Sequence, residues 1–249
     1  MKIKTKLTIG SLLMALVPVI IMAGILGWMT IQSSHDALKT EAMQHLISIR
    51  ANNKARIEAY FEHINNQLLT FSNDRMIIDA MTGFKLGVNE LEAQESTFNT
   101  AVIKKQLDNY YSGQFVPEYS KQNNKSISSE KLLGQLDSTA AYLQYLYIQK
   151  NTHSLGNKNK LDAADDGSHY SNTHALYHPH INDFLEKFAY YDIFLIDPDS
   201  GRVVYSVYKE LDYATSLIQG AYANSGLATA FHRANKSNQT ETFLEDFKP

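Results

Sequence analysis

The stretch from Leu7 to Ile31 most constrains what this chain can fold into, because none of its 25 residues carries an ionisable side chain. At about 1.5 Å of rise per residue, a helix of this length spans a hydrocarbon core of about 30 Å with room for tilt. Lysines occupy positions 2, 4 and 6, whereas Trp28 and a run of polar residues mark the other end. The positive-inside rule therefore predicts cytoplasmic residues 1–6, a transmembrane helix over 7–31 and a location outside the inner membrane after about residue 32.

A cleaved signal peptide is the alternative interpretation of the same stretch, because the lysine-rich first six residues resemble the charged start of a secretory signal. The apolar region of such a signal usually runs only about 7 to 15 residues, which is much shorter than the stretch found here. The length therefore favours an uncleaved membrane anchor.

The composition argues against several classes of function. The formal net charge is -3, and no basic stripe interleaved with aromatic residues occurs beyond the N-terminus, so no nucleic acid partner is predicted. The chain has no cysteine, which excludes thiol catalysis and disulfides. It also lacks a glycine-rich phosphate loop, a nucleophile elbow and a paired Ser/His signature, so we predict no enzyme activity and no cofactor.

The region after the membrane stretch, residues 32–128, is predicted to be helical and extracytoplasmic. Residues 33–71 contain neither proline nor glycine, and apolar residues recur at heptad-like spacing at positions 57, 61, 64, 68 and 71. This pattern predicts one long helix, whose seam either packs on its own domain or pairs with a second copy in a homodimer. Further helices are predicted over 75–82, where Gly83 and Gly87 break the pattern, and over 89–111, followed by an exposed connection over 113–128.

The remainder, residues 129–249, is predicted to form an α+β domain around an antiparallel hairpin. Two apolar, β-branched and aromatic runs between Tyr191 and Lys209 flank a Pro-Asp-Ser-Gly turn, and both faces of the first run are apolar. A first strand is predicted over 141–149 because of its aromatic and β-branched content. Residues 151–168 are predicted to form a polar loop, and residues 177–190 a helix that leads into the hairpin.

Four histidines between positions 169 and 180 suggest a metal site. His174 and His178 would share one face of a helix at the i, i+4 spacing that can bind zinc, which would permit a metal-dependent enzyme. Pro179 interrupts the run, and no glutamate occupies the position that a metalloprotease requires. A solvated loop with one or two structural histidines is therefore favoured, and we predict no metal.

Tyrosines cluster on or beside the predicted sheet and suit a small-ligand pocket, because each combines an apolar ring with a polar hydroxyl. Many tyrosines simply complete a core, so only some of them are expected to touch a ligand. The predicted ligand-binding residues, with the tyrosines stacking on the ligand and Asp192 pairing with an amine, are Tyr145, Tyr147, Asp192, Tyr205 and Tyr222.

Several segments resemble the periplasmic sensor region of bacterial methyl-accepting chemotaxis proteins. The resemblance is carried by residues 190–197 (YYDIFLID), 203–210 (VVYSVYKE) and 211–217 (LDYATSL), with similar stretches at 161–168 and 177–180. It implies a Cache-like, that is extracellular PAS-like, sheet that holds a small-molecule pocket. It also implies transmembrane signal transduction to a cytoplasmic kinase by the intact receptor.

Members of this family continue with further strands, a second membrane helix, a HAMP linker and a cytoplasmic coiled coil that contacts the kinase. None of these follows Pro249. We therefore expect the chain to be the N-terminal portion of a receptor, whether as a fragment, a split gene product or a truncated chain. Similar sensor regions precede histidine kinases and cyclases, and a membrane-tethered helical interaction module is a further alternative.

Overall fold

The structure, a computed structural model, describes residues 3–237 and 239–246. The predicted cytoplasmic segment is therefore described only from Ile3 onward, and the end of the predicted sensor domain only as far as residue 246. The chain divides into two compact units, Met1–Ile64 and Asn65–Pro249. It is mostly helical and has one small antiparallel sheet, which agrees with an α+β class in its coarse form.

The first helix, α1 (Ile3–Ser72), is continuous and has no buried residue. The hydroxyls of Thr8 and Thr30 donate hydrogen bonds of 2.8 Å to the carbonyls of Lys4 and Leu26, one turn earlier in the helix. In residues 3–237 and 239–246, this is the one helix that is long and apolar enough to cross a membrane. The predicted long helix after the apolar stretch is confirmed as part of the same element.

The second helix, α2 (Arg75–Ala93), starts at Asp74, whose carboxylate accepts a hydrogen bond of 2.7 Å from the Met76 amide. Its predicted end at residue 82 is wrong, because Gly83 and Gly87 lie within it. A Cβ atom at Gly87 would lie 2.7 Å from the Cα atom of Tyr170. The glycines therefore allow two helices to approach closely instead of ending the first one.

Four short helical elements follow. Residues Glu95–Thr97 form a 3₁₀ turn, α3 spans Thr100–Tyr110, a π-turn spans Tyr111–Phe115 and α4 spans Val116–Asn123. The predicted helix over 89–111 is therefore divided in two near residue 94. The connection predicted from residue 113 is wrong for its first half, because Pro117 lies in the first turn of α4, where its missing N–H leaves no helical bond unmade.

The strand predicted over 141–149 is wrong, because this segment is helical. After α5 (Ser129–Leu133), α6 spans Ser138–Gln144 and continues into a π-turn, Tyr145–Gln149. The Asp137 carboxylate caps α6 by accepting a hydrogen bond of 2.7 Å from the Ala140 amide. Leu143 and Tyr147 follow at helical spacing and are fully buried, so burial on one helical face overrides β propensity here.

The polar loop after residue 150 contains a 3₁₀ turn, Lys158–Lys160, and leads into α7 (His169–Phe188). This helix begins eight residues earlier than the predicted position 177. Its start is set by Ser168, whose hydroxyl accepts a hydrogen bond of 3.1 Å from the Ser171 amide. Pro179 lies inside α7 and does not end it.

The predicted hairpin is confirmed. Strands β1 (Phe194–Ile196) and β2 (Val203–Ser206) pair antiparallel, with Leu195 opposite Tyr205 and a bulge after Leu195. In the turn, Gly201 has a φ of 65°, and the Asp197 carboxylate accepts a hydrogen bond of 2.6 Å from the Ser200 hydroxyl. The outer edge of β2 bonds to residues 214–217, which precede the last helix, α8 (Gly226–Lys236).

The core of the second unit is unusually aromatic. The rings of Phe84 and Tyr205 lie 4.8 Å apart, and the hydroxyls of Tyr170 and Tyr213 share a hydrogen bond of 2.7 Å. Helices before residue 128 and the hairpin after residue 190 contribute to this one core. Residues on both sides of the predicted boundary at 128 and 129 therefore pack together.

Candidate functional site

A cavity of about 750 Å³ lies beside the core of the second unit. Four segments line it, namely the end of α3 with the π-turn and α4, Ile148 in the second π-turn, residues 154–158 in the polar loop, and residues 208–212 after β2. Tyr222 completes the lining. This volume lies within the range of about 300 to 1,000 Å³ that is usual for small-molecule sites.

Aromatic rings form one wall of the cavity. Tyr110, Tyr111, Phe115 and Tyr119 follow one another along α3, the π-turn and α4, with successive ring centroids 5.7, 6.2 and 5.8 Å apart. Positions 111, 115 and 119 are four residues apart, a spacing that keeps their side chains on one side of a helix. The wall offers a ligand a continuous series of ring faces.

The buried side chain of Gln144 holds the opposite segment in place. Its amide nitrogen donates to the carbonyls of Leu211 (3.1 Å) and Tyr213 (2.8 Å), and its amide oxygen accepts a hydrogen bond from the Tyr111 hydroxyl. One side chain therefore connects the aromatic wall to residues 211–213. This segment is also shaped by left-handed backbone at Lys209 (φ 54°) and Ala214 (φ 66°).

Two of the carboxylates that line the cavity, Glu210 and Asp212, are close neighbours in the chain. Glu210 accepts a hydrogen bond of 3.1 Å from the Tyr191 hydroxyl. The Oδ1 atom of Asp212 is buried and has no hydrogen-bond partner within the described residues. Burial, with Coulomb repulsion from Asp192 and Glu210, raises the pKa of the Asp212 carboxyl to about 7.

Two lysines also line the cavity, and both ammonium groups are already engaged. Lys158 donates to the carbonyl of Asn151 at 2.7 Å, and its Nζ atom lies 5.0 Å from the centre of the Tyr110 ring. Lys209 donates to the carbonyl of Val207 at 2.9 Å. Burial lowers the pKa of Lys158 and lowers that of Lys209 to about 7. The Tyr110 hydroxyl, in contrast, is buried and has no partner within the described residues.

A smaller cavity of about 250 Å³ lies next to the first. Tyr111, Leu211 and Tyr222 line both cavities, and burial raises the pKa of Tyr222 with help from Asp212 and Glu210. Amide and hydroxyl side chains such as Gln135 and Gln219 also line the smaller cavity, together with apolar side chains such as Leu132. Tyr222 is therefore one of the residues that lie between the two cavities.

Of the residues that the sequence analysis predicted for ligand binding, Tyr222 lines both of these cavities, and the other four line neither. Tyr147 and Tyr205 are fully buried in the aromatic core, where the Tyr147 hydroxyl lies 3.0 Å from that of Ser171. The Tyr145 ring lies 5.0 Å from the Lys150 ammonium. These tyrosines therefore do not meet at either of the two cavities described above.

Asp192 serves the hairpin. Its carboxylate accepts hydrogen bonds from the Val207 amide (2.9 Å) and the Ser206 hydroxyl (2.8 Å), and burial raises its pKa. The role of Asp192 as a ligand partner stays a prediction. Sequence reasoning missed Tyr110, Tyr111 and Asp212. The available signal was the pair of carboxylates at positions 210 and 212, directly after an apolar strand and beside a tyrosine-rich segment.

The predicted i, i+4 pair of histidines is real, but it is buried and its contacts are made within the protein. In His178, Nε2 donates to the Asn159 carbonyl and Nδ1 accepts from the Tyr205 hydroxyl, each at 2.6 Å. In His174, Nδ1 donates to the Asp162 carbonyl. Burial, with repulsion from Lys209, lowers the pKa of His178 to about 3 and holds the pKa of His174 well below its usual value. The described part of the chain contains no group of three or more His, Asp or Glu residues that could hold a metal ion.

Comparison of the chain with protein-family models, with curated proteins and with solved structures finds no match in any of the three. The candidate site is therefore argued from its own residues.

Proposed function

We propose that this chain is the membrane-anchored, ligand-sensing portion of a bacterial chemoreceptor of the methyl-accepting type. The observation that carries the proposal is the tyrosine-lined cavity, whose lining residues include Tyr110 and Asp212, each with a buried oxygen that has no hydrogen-bond partner among the described residues. It occurs in a chain that also has an apolar helix long enough to cross a membrane. The resemblance at residues 190–217 supports the choice of receptor class, and a histidine kinase or cyclase would use the same kind of sensor.

In this proposal, β1 and β2 are two strands of a PAS-like sheet. The covered faces of the hairpin support this assignment, because Val203, Val204 and Tyr205 are each at most 1% exposed. A sheet that is covered on both faces needs helices packed over it, and α2 and α7 belong to the same core. The sheet would hold residues 208–212 at the edge of the cavity.

Signalling would follow from a difference in affinity between two arrangements of the cavity walls. A ligand that bridges the aromatic wall and residues 208–222 would favour the arrangement in which both walls are close. Gln144 already links these walls, so it is the natural element for the ligand to bias. A coupling of about 1–3 kcal/mol, typical of allosteric proteins, is sufficient for a switch of this kind.

Thermal unfolding of the full chain in lipid nanodiscs, in the presence of a metabolite library, tests the proposal. We expect a specific compound to raise the midpoint of unfolding in proportion to its concentration. Tyr119→Ala, at the cavity, should abolish this shift, whereas Tyr60→Ala, on an exposed face of α1, should retain it. A shift that is lost in Tyr145→Ala but kept in Tyr119→Ala would favour the site predicted from sequence. No shift with any compound would contradict a sensor.

Membrane topology is tested separately. We propose that residues 7–31 stay in the inner membrane, with residues 1–6 cytoplasmic and the second unit periplasmic. A periplasm-dependent reporter fused after residue 249 should be active, and the purified chain should retain its N-terminal residues. Activity of a cytoplasm-dependent reporter alone, or a mature product that begins near residue 30, would contradict this topology.

A homodimer paired through α1 is the second part of the proposal, and the same seam could serve an interaction module instead of a sensor. Ile57 and Phe61 are 57% and 43% exposed, whereas Phe71, at the end of the seam, packs against Phe184 with ring centroids 4.2 Å apart. The exposed part of the seam is therefore the part available for pairing. The chain has no cysteine, which makes oxidative cross-linking direct. Ile57→Cys should cross-link rapidly in membranes, whereas the neighbouring Glu58→Cys should not. Equal rates for both variants would contradict pairing through this seam.

A further inference from the structure

The charges around Asp212 indicate which class of ligand the cavity binds. This inference rests on the proposed function, because it concerns the same cavity. Asp212 Oδ1 is buried without a hydrogen-bond partner within the described residues. A buried polar atom without a partner is unfavourable, and more so when it belongs to a charged group. Asp212 lines the cavity, so a ligand with N–H donors placed there can bond its carboxylate.

The neighbours of Asp212 determine the sign of the missing charge. Two further acids, Asp192 and Glu210, repel its carboxylate, and the backbone amides of Asp212 and Tyr213 offset only part of this repulsion. Glu118 adds another carboxylate to the cavity lining. A carboxylate or phosphate ligand placed there would be repelled, whereas a cation would neutralise the carboxylate of Asp212.

The two lysines of the lining do not supply that cation. The ammonium of Lys158 bonds the Asn151 carbonyl and lies over the Tyr110 ring. The ammonium of Lys209 bonds the Val207 carbonyl, and its Nζ atom lies 6.0 Å from the centre of the Tyr147 ring. The ammonium of Lys209 therefore lies among core residues and not beside Asp212. These contacts also leave no uncommitted ammonium for the carboxylate of an amino acid ligand.

The rest of the lining suits an organic cation better than a bare metal ion. Ring faces attract ammonium groups and pack against apolar bodies, and the wall from Tyr110 to Tyr119 presents four rings in series. The unpartnered hydroxyl of Tyr110 adds an acceptor for an N–H group. A volume of about 750 Å³ leaves room for a body much larger than an ion.

We propose that the cavity binds a small organic amine in its protonated form, with the ammonium at Asp212 and the body against the aromatic wall. The amine carries no carboxylate of its own. Glu210 and Tyr222 flank the ammonium, and Tyr110 is a positioning residue at the wall.

Titration calorimetry of the full chain in nanodiscs tests this assignment with matched probes. Each amine of a panel, starting with 2-phenylethylamine, is compared with the amino acid and the acid of the same body, here phenylalanine and 3-phenylpropionate. We expect at least one amine to bind, and to bind tighter than both of its counterparts. Asp212→Asn should weaken the amine about tenfold or more, as expected for loss of a hydrogen bond to a charged group.

Two variants keep the result interpretable. Asp183→Asn, at an exposed ion pair with Lys187 on α7, should bind the amine like the wild type. Tyr110→Phe removes a hydroxyl that makes no hydrogen bond within residues 3–237 and 239–246, so the variant should fold normally and bind the amine several-fold more weakly. Unchanged amine affinity in a folded Asp212→Asn variant would overturn the proposal.

The remaining outcomes separate this inference from the proposed function. An acid, amino acid or neutral compound that binds best, and loses its affinity in Tyr119→Ala, would overturn the amine assignment and leave the sensor standing. A panel in which no amine binds would also overturn the assignment. A library in which no compound of any charge stabilises the chain would remove both proposals together.

Discussion

Replacing Asp212 with asparagine should stabilise the protein at neutral and alkaline pH. The carboxyl has an ordinary pKa of 3.8 and a pKa of about 7 in the folded chain. Between these values the folded state holds a proton that the unfolded state has released, so the free energy of unfolding of the wild type falls as pH rises from about 4 to about 7. The shift corresponds to a cost of up to about 4 kcal/mol above pH 7. Asparagine carries no charge and avoids this cost.

Urea unfolding of the full chain in mild detergent, at pH 4 and at pH 8, measures the effect. Near-UV circular dichroism of the core tyrosines is the appropriate signal, because the single tryptophan lies in the apolar stretch of α1. The variant and the wild type should agree within about 1 kcal/mol at pH 4, and the variant should be more stable by up to about 4 kcal/mol at pH 8. Asp183→Asn should differ from the wild type by about 0.5 kcal/mol or less at both pH values. An Asp212→Asn variant that is less stable than the wild type at pH 8, or a stability difference that does not change with pH, would contradict the raised pKa of Asp212.

Three further predictions concern packing and buried polar groups. Gly87→Ala should lose about 1–3 kcal/mol in urea unfolding because its Cβ would meet the backbone of Tyr170, whereas Gly113→Ala, with open space around it, should lose nothing. Gln144→Leu should cost about 2–4 kcal/mol and weaken ligand binding, since it leaves the Tyr111 hydroxyl and the carbonyls opposite it unpaired; equal stability to the wild type would contradict this. Lys209→Met should stabilise the chain by roughly 3–4 kcal/mol at pH 6 and by much less at pH 10. The difference shrinks because the wild type gains stability as pH rises from about 7 towards 10.5. A stability difference between variant and wild type that grows with pH would contradict this prediction.

The hairpin and the long first helix were predictable because local chemistry determines both. The turn of residues 198–201 combines a proline, side chains that bond the backbone and a glycine with φ of 65°, and no distant contact is needed to specify it. The first helix follows from an unbroken apolar stretch and a proline-free continuation. In both cases the sequence signal and the final structure depend on the same few residues.

The segment 141–149 shows where local reasoning failed. Its aromatic and β-branched residues favour a strand, yet Leu143 and Tyr147 are buried on one helical face, supported by the Asp137 cap. The helix end predicted from Gly83 and Gly87 was wrong for a related reason. These glycines allow close contact with α7, which lies about 90 residues further along the chain. Such contacts between distant segments leave little trace in a local pattern.

The candidate site could be predicted only in kind. Tyrosines and a carboxylate were the expected residue types. Tyr222 lines the cavity and its role in ligand binding stays a prediction, whereas Tyr147 and Tyr205 complete the core. Helix α4 was missed as a wall because its composition is polar and it contains Pro117. The π-turn at residues 111–115 affects which tyrosines line a cavity, and no local sequence pattern predicts that turn.

Hydrogen exchange of the full chain in nanodiscs, with and without a stabilising amine, shows whether the cavity binds the amine. We expect slower exchange on ligand addition in three segments that contain the lining residues, namely 110–123, 148–158 and 208–222. Asp212→Asn should lose this protection while its exchange in the absence of the amine stays close to that of the wild type. Protection confined to other segments, or an identical pattern with and without the amine, would contradict the claim.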